Sequence, residues 1–252
     1  MLKDFSAEAF DIIIQGGQSN ADGTGFGSAA EPYEQSPDIF YLTSDFIIVP
    51  AAETVWGNEI KGDFSLAFAA EYVKAGLLRK GRKLLILRSA VSGTGFSDQR
   101  WGPQDDLFLT MMEMIKTALE LNRANNLKVF LWHQGETDVM NFMPAEAHRA
   151  NLARLISLVR ETYHCPELPF IAGGFVPQWY QWIGSFAIPI QTAIQALCQD
   201  DSRAAFVETV GLESNNQKIG QDDPIHFCRD SLNLLGKRYF KAFQKLYGIG
   251  SK

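Results

Sequence analysis

Short apolar strands alternate with amphipathic helical stretches along nearly the whole chain, and this alternation constrains the fold more than any other feature of the sequence. The strand candidates are continuous apolar runs, which are typical of strands buried on both faces. They lie at residues 11–15, 83–88, 128–132, 169–172 and 205–208. The pattern predicts an α/β fold in three layers, with a mostly parallel five-stranded sheet between two layers of helices.

The helical stretches carry apolar residues at spacings of three and four, at residues 105–125 and 144–163 and from residue 231 onward. No repeat or linker interrupts them, and 252 residues is a common size for one α/β domain, so we predict a single domain over residues 1–252. Residues 20–64 and 174–189 fall outside the alternation. Long loops that follow strand ends are where open sheets bind ligands.

Composition argues against several classes of protein. The 29 acidic residues outnumber the 23 Lys and Arg residues, giving a net charge of −6, and no basic stripe suited to nucleic acid is present. No apolar run approaches the roughly 20 residues that span a bilayer, and residues 1–4 (MLKD) do not begin like a signal peptide. We therefore expect a cytoplasmic protein with neither a nucleic-acid nor a membrane partner.

Cysteine usage points to reduced thiols. Cys165, Cys198 and Cys228 form no CxxC pair and are odd in number, which favours neither a disulfide framework nor a zinc cluster.

A serine follows the first predicted strand, in the sequence GGQSN at residues 16–20. Small residues permit the tight turn that raises a serine side chain into a cleft, so Ser19 is a candidate nucleophile. The glycines that follow do not form GxGxxG, and no GK[ST] is present, so a phosphate-binding loop is disfavoured. A turn without chemical function remains the alternative.

A serine nucleophile needs a base, and the chain offers four histidines. His148 lies within a helix among polar neighbours and His164 ends a helix, so both are predicted to be surface residues. His226 belongs to DDPIH at residues 222–226, where a carboxylate three residues upstream can orient the imidazole through Nδ1 while Nε2 faces the serine. This spacing favours Asp223 as the carboxylate, with Asp222 as the alternative.

Two more loops leave predicted strands in the same direction. In WHQGETD at residues 132–138, His133 and Glu136 have a spacing seen in metal sites. Without an HExxH helix or a second nearby histidine, however, metal catalysis is the less favoured alternative. The polar side chains of this loop can instead donate to an oxyanion, and SAVSGTG at residues 89–95 offers backbone N–H groups.

Together these loops resemble the SGNH hydrolases. The resemblance is closest to the sugar O-acetylesterase branch, which includes acetylxylan esterases of carbohydrate esterase family 6 and the sialate O-acetylesterase group. The matching stretches are GGQSNADG (16–23), GDFSLAFA (62–69), SAVSGTGF (89–96), WHQGETD (132–138), DPIHF (223–227) and LGKRY (235–239). The resemblance implies a flavodoxin-like fold and a serine esterase that needs no metal or organic cofactor.

The resemblance also implies residue roles. Ser19 would be the nucleophile, His226 the general base and then acid, and Asp223 its orienting carboxylate. The oxyanion hole would consist of the Ser19 and Gly93 backbone N–H groups and the Gln134 side chain. Family members often have Gly-Gly where this chain has Ser92-Gly93, which retains the second donor. Four residues of the same motifs would support the site: Gln18, Asn20, Glu136 and Asp138.

The expected reaction is removal of acetyl groups from xylo-oligosaccharides or another acetylated sugar through an acyl-Ser19 intermediate. Trp179, Tyr180 and Trp182 form either a sugar-stacking platform at the cleft rim or a hydrophobic lid on the core. The alternatives are a lipase or thioesterase of the same superfamily, acting on non-sugar esters, and a catalytically silent carbohydrate-binding protein.

Overall fold

The computed structural model describes residues 4–248. Its strands are β1 (Ala9–Gly17), β2 (Ile39–Leu42), β3 (Ile48–Pro50), β4 (Thr54–Trp56), β5 (Glu59–Lys61), β6 (Arg82–Arg88), β7 (Asn126–His133), β8 (Phe170–Gly173) and β9 (Ala204–Val207). Its helices are α1 (Ser19–Asp22), α2 (Phe64–Lys74), α3 (Asp106–Leu121), α4 (Glu136–Met140), α5 (Ala145–Thr162), α6 (Pro177–Ile183), α7 (Ala187–Asp200), α8 (Asn215–Ile219) and α9 (Arg229–Leu246), with a 3₁₀ turn at Gly184–Phe186.

The central sheet has seven strands in the order β3-β2-β6-β1-β7-β8-β9, and all neighbours pair in parallel except β3, which is antiparallel to β2. The predicted mostly parallel α/β fold is confirmed, and each of the five predicted strands is present. The predicted count of five is wrong, because β2 and β3 lie within residues 20–64 and add two strands at one edge. The remaining strands, β4 and β5, form a separate antiparallel hairpin.

Helices cover both faces of the sheet. His133 at the end of β7 points toward one face, where its ring lies next to Tyr239 of α9, and α9 packs on α2. Its neighbour Trp132 points the other way and packs edge-on against Trp101, just ahead of α3. Helices α5 and α7 pack on each other. The predicted three layers are therefore present.

The first strand ends in a turn that only glycine accommodates. Gly17 has φ +125°, and a Cβ atom built on it would lie 2.1 Å from the His133 carbonyl oxygen. This close approach lets the Gln18 N–H donate to that same oxygen at 3.0 Å. The loop carrying Ser19 is thereby fixed against the loop that follows β7.

No helix within residues 4–248 is long and apolar enough to cross a bilayer. Cys165, Cys198 and Cys228 are free thiols.

Candidate active site

The candidate site lies where β6, β1 and β7, three adjacent strands, reach their carboxyl ends. Ser19 is the first residue of α1, immediately beyond β1. On one side, the Val91 N–H donates to the Gly17 carbonyl oxygen at 3.1 Å. On the other side, the Thr137 N–H donates to Gln18 Oε1 at 3.1 Å. Three loops that are distant in sequence are therefore joined around Ser19.

Ser19, His226 and Asp223 form one hydrogen-bonded chain. Ser19 Oγ lies 2.9 Å from His226 Nε2, and His226 Nδ1 lies 2.8 Å and 3.0 Å from the two carboxylate oxygens of Asp223. Asp222 is exposed, and its carboxylate makes no hydrogen bond to the imidazole among the described residues. The structure thus brings together the three residues that the DxxH spacing and the family resemblance single out, in the arrangement that serine catalysis requires.

The charge on Asp223 fixes the tautomer of His226. Burial acts to raise the pKa of Asp223, but hydrogen bonds from His226 and Asn215 outweigh it and hold that pKa below its usual value. The carboxylate is therefore ionised at neutral pH and accepts the Nδ1–H of the imidazole. Nε2 then carries the lone pair and can take the proton of Ser19.

The three predicted oxyanion donors lie on the loops that follow β1, β6 and β7. Within residues 4–248, neither the Ser19 N–H nor the Gly93 N–H has an acceptor. Gly93 has φ +72°, and a Cβ atom there would meet nothing within 4 Å, so this residue borders open space. The Nε2 amide of Gln134 lies 3.4 Å from the carbonyl oxygen of Thr94, the neighbour of Gly93. Such a set of donors can stabilise a developing oxyanion.

Asn20 holds the segment that carries His226. Its Nδ2 donates to Glu136 Oε1 at 2.8 Å and to the Ile225 carbonyl oxygen at 3.0 Å, and its Oδ1 accepts from the Phe227 N–H at 3.0 Å. Asn20 and Glu136 are both fully buried. The chain is therefore fixed on both sides of His226.

His133 and Glu136 lie in the interior. The hydroxyl group of Tyr239 donates to the Trp132 carbonyl oxygen at 2.9 Å, so its oxygen accepts from His133 Nδ1 at 3.0 Å. Burial lowers the pKa of His133 to about 3 and raises the pKa of Glu136, whose Oε1 lies 4.0 Å from His133 Nε2. In residues 4–248, no group of three or more His, Cys, Asp or Glu side chains is arranged to hold a metal ion.

His148 lies in a different place from the one predicted. The prediction that it is a surface residue is wrong, because it is fully buried and its Nδ1 lies 2.9 Å from Asp138 Oδ2. A signal was present, because position 148 belongs to the apolar stripe of α5. The buried members of that stripe include Leu152, Leu155 and Val159. His164 is exposed, as predicted.

The aromatic segment of α6 divides between the two predicted roles. Trp179 exposes only 3% of its surface and packs edge-on against Phe175, so the prediction that it forms a sugar-stacking platform is wrong. Tyr180 is half-buried, whereas Trp182 is 75% exposed. Trp182 alone of the three therefore presents most of its ring to solvent.

Asn215 is a residue of the site that no sequence pattern indicated. This fully buried residue donates from Nδ2 to Asp223 Oδ2 at 2.8 Å and accepts the Phe26 N–H at 2.9 Å. It is the first residue of α8, which begins with a capping box formed by Ser214 and Gln217. The S-x-x-Q pattern would have predicted that helix start, but not the contact with Asp223.

In sequence, the chain is similar to a known family and to a known protein. A family model described as "Carbohydrate esterase, sialic acid-specific acetylesterase" matches residues 9–245. A probable carbohydrate esterase from Arabidopsis thaliana is 34% identical over 70 residues, which are 25% of this chain and 27% of that relative, so the match spans about a quarter of the relative's length.

Solved structures show the same fold at low sequence identity. An Arabidopsis thaliana protein has a TM-score of 0.76 at 21% identity, covering 94% of this chain and 98% of that one. The crystal structure of NanS gives 0.79 at 16% identity, covering 98% and 99%. A carbohydrate acetylesterase from Xanthomonas citri gives 0.58 at 14% identity, covering 94% and 57%.

Proposed function

The chain belongs to the carbohydrate esterase family described as sialic acid-specific acetylesterases, and on this premise we propose that it removes O-acetyl groups from carbohydrates through an acyl-Ser19 intermediate. The observation that carries the proposal is the hydrogen-bonded chain from Ser19 Oγ through His226 to Asp223. A protein that only binds carbohydrate does not need these three groups hydrogen-bonded to one another, whereas acyl transfer by a serine nucleophile needs all three.

In the proposed acylation step, Ser19 Oγ attacks the acetyl carbonyl carbon while His226 Nε2 takes the hydroxyl proton. The tetrahedral oxyanion accepts hydrogen bonds from the Ser19 and Gly93 N–H groups and from Gln134 Nε2. His226 then gives its proton to the sugar oxygen as the ester bond breaks. In deacylation, His226 takes a proton from water, the resulting hydroxide attacks the acyl carbon, and acetate leaves as Ser19 regains its proton.

The proposed substrates are acetylated sugars. The family description supports O-acetylated sialic acids, and the acetylxylan esterase resemblance supports acetylated xylo-oligosaccharides. Trp182 is the exposed aromatic residue of α6 that remains a candidate for stacking on a sugar ring. Every step of this mechanism uses side chains and backbone groups of the chain, without a metal or organic cofactor.

Acetate release from O-acetylated sialic acid, acetylated xylo-oligosaccharide and ethyl acetate, with a chelator present, tests the proposal. Ser19→Ala should lower kcat by several orders of magnitude, whereas Gln134→Ala should lower it about a hundredfold to a thousandfold. Ser44→Ala, an exposed serine between β2 and β3, is the matched control and should retain wild-type activity.

Near-wild-type rates in both Ser19→Ala and Gln134→Ala would contradict the proposed mechanism. Loss of activity with the chelator alone would favour metal catalysis instead. A clear preference for long-chain acyl esters over acetyl esters would support the lipase alternative.

A further inference from the structure

Asp138 lies between two of the three loops that supply the proposed oxyanion donors. Its Oδ2 accepts from Gln134 Nε2 at 3.0 Å, and its Oδ1 accepts from the Ser97 N–H at 2.8 Å, in the loop that contains Gly93. A Cβ atom built on Gly95 would lie 2.3 Å from Oδ1, so this loop passes directly over the carboxylate. One buried carboxylate therefore joins Gln134 to the loop that carries Gly93, two of the three parts of the proposed oxyanion hole.

His148 contacts the same carboxylate from α5. Its Nδ1 lies 2.9 Å from Asp138 Oδ2, and both side chains are fully buried. The imidazole is held edge-on against the ring of Phe96. A buried carboxylate is unfavourable unless it is paired and hydrogen-bonded, and here three donors satisfy it. Burial acts to raise the pKa of Asp138, but these hydrogen bonds, with His148 contributing most, hold it below its usual value.

The carboxylate determines which way the Gln134 amide faces. An ionised carboxylate only accepts hydrogen bonds, so it selects the NH₂ end of the amide. The Thr94 carbonyl oxygen, 3.4 Å from Nε2, favours the same orientation through a longer hydrogen bond. Within residues 4–248, Gln134 Oε1 has no hydrogen-bond partner, so the shorter contact with Asp138 is the main constraint on the amide. A flipped amide would place Oε1 against the carboxylate and replace the oxyanion donor with an acceptor.

We propose that Asp138 and His148 are positioning residues that hold Gln134 as an oxyanion donor and fix it to the Gly93 loop. This role rests on the proposed esterase function. It acts in the transition state, when negative charge develops on the carbonyl oxygen, and not on substrate binding. Substitutions that break the contact between Asp138 and His148 or between Asp138 and Gln134 should therefore lower kcat and leave KM nearly unchanged.

Substitutions at both positions separate this role from simple packing. Asp138→Asn keeps the size but can donate as well as accept, so it no longer selects the amide orientation, and kcat should fall about tenfold to a hundredfold. His148→Leu removes the imidazole N–H that donates to the Asp138 carboxylate, and it should also lower kcat. His148→Asn places an amide N–H near the position of Nδ1 and should restore kcat to within about threefold of wild type. Asp45→Asn, at an exposed position between β2 and β3, is the control.

Two further readouts distinguish positioning from a general structural effect. In a Gln134→Ala background, Asp138→Asn should cost less than about threefold in kcat, because the donor it positions is already gone. Methylboronic acid, which adds to a serine hydroxyl to give a tetrahedral adduct, should bind more weakly to Asp138→Asn by about the same factor as kcat falls. Thermal unfolding checks that each variant is folded.

The positioning role is overturned if folded Asp138→Asn keeps kcat within threefold of wild type, or if its full effect persists in the Gln134→Ala background. If Asp138→Asn does not fold, the histidine pair decides, since equal kcat values for His148→Leu and His148→Asn overturn the role. A wild-type chain that releases no acetate contradicts the proposed function itself, and the positioning role falls with it.

Discussion

Asn20 provides a direct test of what fixes the segment around His226. Replacing its Nδ2 atom with oxygen changes a hydrogen-bond donor into an acceptor. Asn20→Asp keeps the acceptor that binds the Phe227 N–H. It replaces the Nδ2 donor with an oxygen, 2.8 Å from Glu136 Oε1 and 3.0 Å from the Ile225 carbonyl oxygen. Two attractive contacts beside His226 become contacts between acceptors, without a change in side-chain size.

The expected loss follows from those two contacts. Each buried acceptor left without a donor costs about 1–3 kcal/mol, so the substitution should destabilise the fold by roughly 4 kcal/mol. For a chain of this size that corresponds to about 8–16 °C in Tm. Burial already raises the pKa of Glu136. A second carboxylate at position 20 should raise the pKa of Glu136 further, and its own pKa should be raised as well. A proton added at low pH supplies the missing donor, so the loss should shrink as the pH falls.

Urea unfolding of wild type and Asn20→Asp at pH 8 and pH 5 measures both effects. Asn58→Asp, an exposed position in the β4–β5 hairpin, introduces the same charge and should change the free energy of unfolding by less than about 0.5 kcal/mol. The reasoning is refuted if Asn20→Asp lies within about 1 kcal/mol of wild type at pH 8, or if its loss is the same at both pH values.

Two other predictions concern the turn after β1 and the carboxylates of the site. Gly17→Ala should cost more than about 3 kcal/mol, because its Cβ would lie 2.1 Å from the His133 carbonyl oxygen at φ +125°. Gly57→Ala, at φ +62° with open space around it, should cost about 1 kcal/mol, and equal losses in urea unfolding would contradict the steric argument. Asp223 and Asp138 have pKa values below the ordinary 3.8, so each stabilises the fold above that pH and loses this contribution as the pH falls through its folded value. The wild-type free energy of unfolding should therefore decline below about pH 4, and a slope unchanged in Asp138→Asn would exclude a contribution from that carboxylate.

The central strands could be predicted because their apolar runs are continuous and flanked by turn residues. Strand β2 was missed because its run, IFYL, lies within residues 20–64, a stretch rich in Gly, Pro and acidic residues that does not alternate with helical patterns. What makes it a strand is parallel pairing with β6, from Ile39 opposite Leu84 to Leu42 opposite Leu87. That pairing is a tertiary contact, and no local pattern encodes it.

The arrangement of the candidate site could be predicted only where chemistry restricts the spacing. The spacing of Asp223 and His226 places carboxylate and imidazole in contact, as the structure has them. The burial of Trp179 depends on how α6 rotates against Phe175, which the sequence of that segment does not determine. His148 is an intermediate case, since its place on the apolar stripe of α5 was readable but its polar neighbours obscured it.

Because the proposed reaction needs Ser19 and His226 in contact, its rate reports whether the complete fold has formed. The two residues are 207 positions apart, and His226 lies three residues before the start of α9, which packs on α2 and on the last two strands of the sheet. Helices and strands can form before that packing, yet until it occurs the serine has no base. During refolding, ester turnover should therefore appear after the far-ultraviolet circular dichroism signal has recovered. In a chain that has formed its helices and strands but not this packing, Ser19 should be no more reactive than any other serine.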